Sequence, residues 1–257
     1  MAQYKTPELS IFSYYLESNG QALLIDPTFD VYMYQEIAKK RSSKLISILL
    51  THYHADYVAG HTEFNLPIIM GPKATKPGST LKLFEMKDGY SFNLGSVWIK
   101  ILHTPGHTPE STCFELRDAH KKSVCLFTGD TVFLGDVGRP DLAASGNVTK
   151  EDLATMLFHS LIKIRREVDH SVRVYPTHGA GSACGKGISD GNFCTLDRQI
   201  ANNYAFKIDS KDEFIKTIMD GMPKAPTYFF HDAKLNSIGG LSSFDRTFET
   251  SNKPLSV

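Results

Sequence analysis

Histidine and carboxylate side chains are concentrated in a few short stretches of the chain. The densest stretch is Thr51-His52-Tyr53-His54-Ala55-Asp56, followed by Gly60-His61, which places two histidines and a carboxylate within five residues. Imidazole nitrogens and carboxylate oxygens are the donors that borderline divalent metals prefer. The alternative is a surface loop that forms only hydrogen bonds, but loops carry functional groups disproportionately often. We therefore expect a metal site here.

Three further stretches carry the same kinds of donor. In His103-Thr104-Pro105-Gly106-His107-Thr108, the proline and glycine specify a tight turn that would hold His107 in place. The other two are Thr128-Gly129-Asp130-Thr131 and Tyr175-Pro176-Thr177-His178-Gly179. Each alone is weak evidence, whereas all four in this order are highly specific for a metal centre.

Each of these stretches follows a predicted strand or turn. The apolar run 45–50 ends at Thr51, the run 123–128 ends at Gly129, and the run 172–175 ends just before His178. Loops that follow strands can converge on one rim of a sheet. We expect the donors to meet at such a rim.

The rest of the chain supplies the elements that would position this rim. Alternating patterns predict hairpins over 10–25 and 90–101 and a strand pair at 111–116 and 123–128. Helical spacing or capping predicts helices over 31–41, 149–168, 196–206 and 212–219. Mostly β structure with helices between the strands predicts two packed sheets covered by helices.

Composition narrows the class of partner. The chain has 257 residues, 41% of them hydrophobic, and 28 basic residues balance 28 acidic ones. This balance gives no attraction to nucleic acid or an acidic membrane, so we expect a small-molecule substrate. The amino terminus lacks a signal-peptide pattern and no apolar run is long enough to span a bilayer, which predicts a cytoplasmic protein with four reduced cysteines.

The four stretches together resemble the metallo-β-lactamase superfamily, whose pattern is HxHxDH, a distant histidine, an aspartate and a last histidine. The resemblance covers about residues 10–180 and implies an α/β fold, an αββα sandwich of two mixed sheets flanked by helices. It implies a single domain over 1–257 with a helical extension from about residue 190. Within the superfamily, GDTVFLGDVGRPDL at residues 129–142 is similar to the persulfide dioxygenase branch.

One position departs from the superfamily pattern. Tyr57 stands where HxHxDH has its last histidine. A neutral phenol is a poor replacement for imidazole on Zn²⁺, so a second metal would retain only Asp56, Asp130 and His178. This departure argues against a dinuclear hydrolase and favours an enzyme with one metal.

The resemblance to the dioxygenase branch implies one Fe(II) per chain, held by His52, His107 and Asp130. It implies oxidation of a low-molecular-weight thiol persulfide, glutathione persulfide or similar, by O₂ to sulfite and thiol. Such a triad leaves coordination positions open for both O₂ and sulfur. His54, Asp56 and His178 are then interpreted as catalytic groups that orient ligands, water or a proton path, or as ligands of a second ion.

Two residues are candidates for substrate binding. The Arg139 guanidinium, in the 129–142 motif, can clamp a substrate carboxylate, with an ion pair to Asp136 or Asp141 as the equally weighted alternative. Tyr175 can point into the site or be a buried core residue.

The carboxyl-terminal part resembles a subset of the branch in which a rhodanese domain follows the dioxygenase. The similarity rests on GAGSACGK at 179–186, PTYFF at 226–230 and Leu235-Asn236. It implies a truncated rhodanese linker at 245–257 and a functional link to a rhodanese domain, with a stand-alone variant as the alternative. The family resemblance also implies a homodimer. The main rival function is a glyoxalase II-like zinc thioester hydrolase; a non-catalytic module would have lost a ligand, and His52, His107 and Asp130 are all present.

Overall fold

The computed structural model describes residues 1–144, 146–222 and 224–239, and contains two six-stranded sheets. In the first sheet, β1, β2 and β3 are antiparallel, whereas β3 to β6 run parallel. The order of strands in space is the same as along the chain. These strands are β1 Ala2–Thr6, β2 Ile11–Ser18, β3 Gln21–Ile25, β4 Lys44–Leu49, β5 Ile68–Met70 and β6 Leu83–Glu85.

The second sheet has the order β12-β11-β10-β9-β8-β7. Only the β10–β11 pair is parallel. Its strands are β7 Ser91–Leu94, β8 Val97–His103, β9 Thr112–Arg117, β10 Ser123–Gly129, β11 Arg173–Pro176 and β12 Cys194–Thr195. Both sheets are therefore mixed, as expected from the sequence.

Six α-helices cover the sheets within the described residues. The longest, α2, begins with a capping box in which Thr149 and Asp152 each bond the other's backbone N–H. Short 3₁₀ turns lie at Pro7–Leu9 and Gly60–Thr62. The helices are α1 Val31–Lys40, α2 Lys150–Glu167, α3 Leu196–Asn202, α4 Tyr204–Lys207, α5 Lys211–Met219 and α6 Phe229–Ile238.

Apolar side chains from successive strand positions separate into layers. Tyr14 of β2 packs between the sheets, against Phe127 of β10, whereas its neighbour Tyr15 packs on the side of α1 with Tyr34. On the other face, Leu126 of β10 joins the cluster that contains residues of α2 and α5. Alternation along a strand is what allows one strand to serve two layers. The predicted αββα sandwich of two mixed sheets flanked by helices is confirmed.

The carboxyl-terminal helices differ from the expectation. The predicted helix over 196–206 is interrupted at Asn203, whose backbone is extended. The Asn203 side chain donates to the carbonyl of Asp136 at 2.8 Å and accepts from Ala205 N at 3.0 Å, so it caps a new helix instead of continuing the old one. Helix α6 lies within the helical extension expected from about residue 190, although the sequence indicated no separate bounds for it.

None of the helices in the described residues combines the length and apolar character that crossing a bilayer requires. The four cysteines are free thiols. The linker predicted at 245–257 lies outside the described residues.

Candidate metal centre

The donor-rich stretches meet at one rim of the sandwich. His52 and His54 follow β4, His107 follows β8, Asp130 follows β10 and His178 follows β11. Backbone hydrogen bonds join the loops of the two sheets, including Thr112 N to Thr51 O at 2.9 Å and Phe12 N to Thr177 O at 2.6 Å. The convergence expected from the strand ends is therefore present.

Asp130 is at the centre of the cluster. Its Oδ2 atom lies 3.7 Å from His52 Nε2, 3.4 Å from His107 Nε2 and 3.5 Å from His178 Nε2. All four side chains are at most 2% exposed. These separations exceed those of charge-assisted hydrogen bonds and suit donor atoms arranged around a common ion.

Several donor atoms of the cluster have no N–H or O–H hydrogen-bond partner among the described residues. Neither Asp130 oxygen accepts a hydrogen bond from an N–H or O–H group of the described residues, and the Nε2 atoms of His54 and His178 are likewise without one. Burial first, and then the charges of Asp56 and Asp26, raise the pKa of Asp130 well above its ordinary value. An unpaired buried carboxylate is costly, and a cation among these atoms removes that cost. The residues present therefore fit a metal ion.

The hydrogen bonds of the histidines turn their Nε2 lone pairs toward Asp130. Thr51 Oγ1 donates to Asp26 Oδ2 at 2.8 Å, so it accepts from Nδ1–H of His52 at 2.9 Å. His107 Nδ1 donates to the carbonyl of Arg139 at 2.9 Å. Burial lowers the pKa of His107 to about 4 and that of His52 well below its ordinary value. Both rings are thus neutral at neutral pH, which is the form in which imidazole can bind a metal ion.

Asp26 is a member of the site that lies outside the four donor-rich stretches of the sequence. It is fully buried and accepts from Thr51 N at 2.9 Å and from Thr177 Oγ1 at 2.9 Å. Its Oδ1 lies 3.3 Å from His54 Nε2. Burial raises its pKa, but His54 and the Thr51 donors outweigh burial and lower the pKa overall. Its position at the end of β3, on the rim where the other loops begin, was the available signal.

His54, Asp56 and His178 form a second set of donors beside the first. Asp56 Oδ2 lies 3.5 Å from His178 Nε2, and its side chain is 10% exposed. A third set consists of Asp130, His178 and Cys184, whose donor atoms lie within 4.8 Å of one another. Cys184 lies outside the four donor-rich stretches of the sequence.

Tyr57 lines the centre without acting as a charged donor. Its buried ring lies against the His54 ring with centroids 4.7 Å apart, and its hydroxyl contacts the carbonyl of Asp26 at 3.5 Å. Burial and the charges of Asp26 and Asp56 raise its pKa well above the ordinary value, so the phenol stays neutral.

The two predicted substrate-binding residues, Arg139 and Tyr175, adopt the alternative arrangements, an ion pair and a position in the core. Arg139 forms a bidentate ion pair with Asp141, at 2.7 and 2.8 Å, and Asp136 instead accepts from the backbone of Lys186 and Gly187. Tyr175 is 5% exposed and packs in the core between the sheets. Its ring centroid lies 5.8 Å from that of Tyr14, which corrects the expectation that it points into the site.

Asn236 of α6 joins the carboxyl-terminal part to the loop that carries His54 and Asp56. Its buried amide donates to the carbonyls of His54 and Tyr57, both at 2.8 Å, and accepts from Ala59 N at 2.9 Å. Its backbone carbonyl accepts from His61 Nε2 at 2.9 Å. The sequence singled out Leu235-Asn236 only for its resemblance, without a structural role.

A two-sheet sandwich with this histidine and aspartate cluster on its rim defines a class of metal-dependent enzymes. The family model of the metallo-beta-lactamase superfamily matches residues 6–178, and the chain belongs to that superfamily.

Relatives and solved structures agree with this assignment. A probable polyketide biosynthesis zinc-dependent hydrolase of Bacillus velezensis is 28% identical over 77% of this chain and 81% of its own length. A hydroxyacylglutathione hydrolase of Francisella tularensis subsp. novicida is 31% identical over 65% of this chain and 62% of its own length. A metallo-beta-lactamase structure from Staphylococcus aureus has a TM-score of 0.84, with 28% identity over 93% of this chain and 72% of that one. The structure of ETHE1 from Myxococcus xanthus has a TM-score of 0.74, with 20% identity over 92% of this chain and 97% of that one. This similarity is one of fold.

Proposed function

We propose that this enzyme is a persulfide dioxygenase that uses one Fe(II) per chain. The observation that carries the proposal is the triad of His52, His107 and Asp130, with Tyr57 in place of the imidazole that a second zinc would need. The motif at 129–142, similar to the persulfide dioxygenase branch, supports it.

The triad is suited to an ion that must also bind two small reactants. Two imidazoles and a carboxylate on one face are the ligand set of non-haem Fe(II) oxygenases, and they leave positions open. When bound there, iron supplies the redox chemistry between a persulfide sulfur and O₂ that amino-acid side chains lack. The overall reaction would convert R–S–SH, O₂ and water to thiol and sulfite.

The remaining polar residues, His54, Asp56 and His178, can transfer protons and position water. His54 Nε2 lies 3.3 Å from Asp26 Oδ1, which places the two side chains to pass a proton along beside the metal centre. Asp56 is the most exposed of the clustered side chains, which makes it the group nearest to entering water. We assign His54, Asp56 and His178 to these catalytic roles.

Arg139 is engaged in an ion pair, so other groups have to recognise the thiol that carries the persulfide sulfur. The guanidinium is neutralised by Asp141 and only 2% exposed, so it would have to leave that ion pair to clamp a substrate carboxylate. Its closer contribution is through its backbone, whose carbonyl orients His107. A low-molecular-weight persulfide such as glutathione persulfide remains the proposed substrate.

The second candidate is a zinc-dependent thioester hydrolase of the glyoxalase II type. The names of the Bacillus and Francisella relatives favour it, and the donors His54, Asp56 and His178 lie within 4.8 Å of one another beside the triad. In such an enzyme these donors would hold zinc, which would supply an activated water for hydrolysis of the thioester.

Oxygen consumption by anaerobically Fe(II)-loaded protein with glutathione persulfide tests the proposal, with sulfite measured as product. His107→Ala is expected to abolish uptake, whereas the matched control His103→Ala is expected to retain it because the His103 ring bonds the carbonyl of Pro109 and lies outside the donor sets. No uptake at full iron occupancy, together with thioester turnover by the zinc-loaded protein, would favour the hydrolase.

A further inference from the structure

A cavity of about 280 Å³ lies between the two sheets, and none of its lining residues belongs to the donor sets of the metal centre. Residues of β3 to β6 line one side of it and residues of β7 the other. Leu23 and Leu94 are fully buried in its wall, whereas Phe84, on edge strand β6, is 47% exposed at its mouth. The cavity is therefore enclosed by core residues and reachable from solvent.

A bulge in β4 determines which side chains reach this cavity. Ala22 pairs with Leu45, but the next residue, Leu23, pairs with Ser47. Ile46 is therefore an extra residue in β4, and a bulge of this kind re-aims the side chains beside it. Neighbours along a regular strand point to opposite faces, yet Ile46 and Ser47 both line the cavity.

Ser47 is the polar group inside the cavity. It is 5% exposed, and its hydroxyl forms no hydrogen bond with another described residue. Apart from Asn93, which is exposed, every other side chain that lines the cavity is apolar. A buried hydroxyl without a partner is costly, and a bound molecule that forms a hydrogen bond with it removes that cost. The cavity thus offers one hydrogen-bonding group within apolar walls.

The size and the wall of the cavity select the kind of molecule that fits. An apolar cavity of ~150 Å³ holds benzene, so nearly twice that volume suits two fused rings. Phe84 and Phe92 offer aromatic faces and edges, against which another aromatic ring packs favourably. Met86 adds a thioether, which also contacts aromatic rings favourably. These walls favour an aromatic ligand over an aliphatic one.

We propose that this cavity binds a small bicyclic aromatic molecule with one hydrogen-bonding group, the chemical class of indole. The fused rings pack among Phe92, Met86 and Leu94, and the ring N–H donates to Ser47 Oγ. The neutral N–H of such a molecule is not a metal ligand, so binding here is separate from binding at the rim. The proposal does not depend on which reaction the metal centre performs.

Isothermal titration calorimetry of the metal-loaded full-length protein with indole tests the site. One equivalent is expected to bind saturably. Indene, which has the same shape but no N–H, is expected to bind roughly three- to tenfold more weakly because it lacks the hydrogen bond to Ser47. Nuclear Overhauser effects from indole protons to the methyl groups of Ile69 and Leu94 should locate the ligand. Absence of saturable binding, or indole contacts only to other methyl groups, would overturn the proposal.

Variants of Ser47 separate the hydrogen bond from the space. Ser47→Ala is expected to weaken indole binding roughly three- to tenfold and to leave indene binding unchanged, a difference that a merely structural role would not produce. Ser47→Leu fills the cavity and is expected to abolish binding of both. The matched control is Ser13→Ala, a buried serine of the same sheet whose hydroxyl contacts Tyr34 at 2.6 Å on the side of α1.

The variants also supply outcomes that count against the site. Indole binding that is unchanged in Ser47→Leu, or equally weakened in Ser13→Ala and Ser47→Ala, contradicts the assignment. Should Ser47→Leu fail to fold, the comparison of indole with indene in Ser47→Ala still decides. Because indole is neither a persulfide nor a thioester, failure of this test is distinguishable from failure of the dioxygenase proposal.

Discussion

The side-chain amide of Asn236 donates to the carbonyl oxygen of Tyr57 at 2.8 Å, although the two residues are 179 positions apart. The same amide reaches the carbonyl of His54 and the N–H of Ala59. A helix near the end of the described chain thereby holds the loop that carries His54 and Asp56 in place.

Replacing this asparagine should destabilise the protein and loosen the loop. Asn236→Leu leaves three buried backbone groups without a partner, and each unsatisfied group costs about 1–3 kcal/mol. We expect a loss of a few kcal/mol in the free energy of unfolding, measured by urea denaturation, together with weaker metal binding. Asn202→Leu, at an exposed site at the end of α3, is the matched control. Equal stability of the two variants would contradict this role.

Removing the charge of Asp26 should weaken metal binding without unfolding the protein. In Asp26→Asn, an amide N–H can donate to Thr51 Oγ1 and so replace the hydrogen bond that Thr51 Oγ1 donates to Asp26. Thr51 Oγ1 accepts from Nδ1–H of His52, so the substitution changes the group that fixes the His52 tautomer. Loss of such supporting interactions costs about 10–100-fold in metal affinity. Competition with a chelator measures it, and Asp30→Asn, which keeps a good helix cap, serves as control. Unchanged affinity would remove Asp26 from the site.

A single substitution at position 57 should create a second zinc site. Tyr57→His restores the imidazole of the HxHxDH pattern, so we expect a larger zinc content per chain after growth or reconstitution with zinc. Tyr57→Phe removes only the hydroxyl and is expected to behave as the unmodified protein. Elemental analysis of the three proteins decides the outcome, and the prediction fails if both variants bind equal zinc.

The stability of the metal-free protein should depend on pH in the range set by His107. Its pKa falls from an ordinary value of 6.5 to about 4 in the folded state, because burial disfavours the charged ring. Between these values the unfolded chain binds more protons than the folded one, so stability decreases as pH falls from 6.5 to 4. The contribution is on the order of 3 kcal/mol. Denaturation at several pH values should show a smaller slope for His107→Gln, whereas exposed His120→Gln should keep the full slope.

Space beside Asp130 admits no side chain at position 138. A Cβ atom there would lie 2.0 Å from the Asp130 carbonyl oxygen and 3.0 Å from His107 Nδ1. Gly138→Ala is expected to displace Asp130 and His107 and so to reduce metal content severely. Gly187→Ala, where a Cβ meets nothing within 4 Å, is the control. Full metal occupancy in Gly138→Ala would show that the rim tolerates displacement.

The sequence by itself determined the kind of centre and the main elements. His52, His107, Asp130 and His178 are recognisable because donor types at strand ends are local features, and the αββα layers follow from alternation along strands such as β2. Where local sequence patterns are equally consistent with two arrangements, only the tertiary structure decided between them. Arg139 pairs with Asp141, Tyr175 packs into the core, and Asn203 interrupts a helix because of partners brought near by folding. Asp26, Cys184 and Asn236 join the centre from separate elements, and their roles depend on distances between loops that no local spacing encodes.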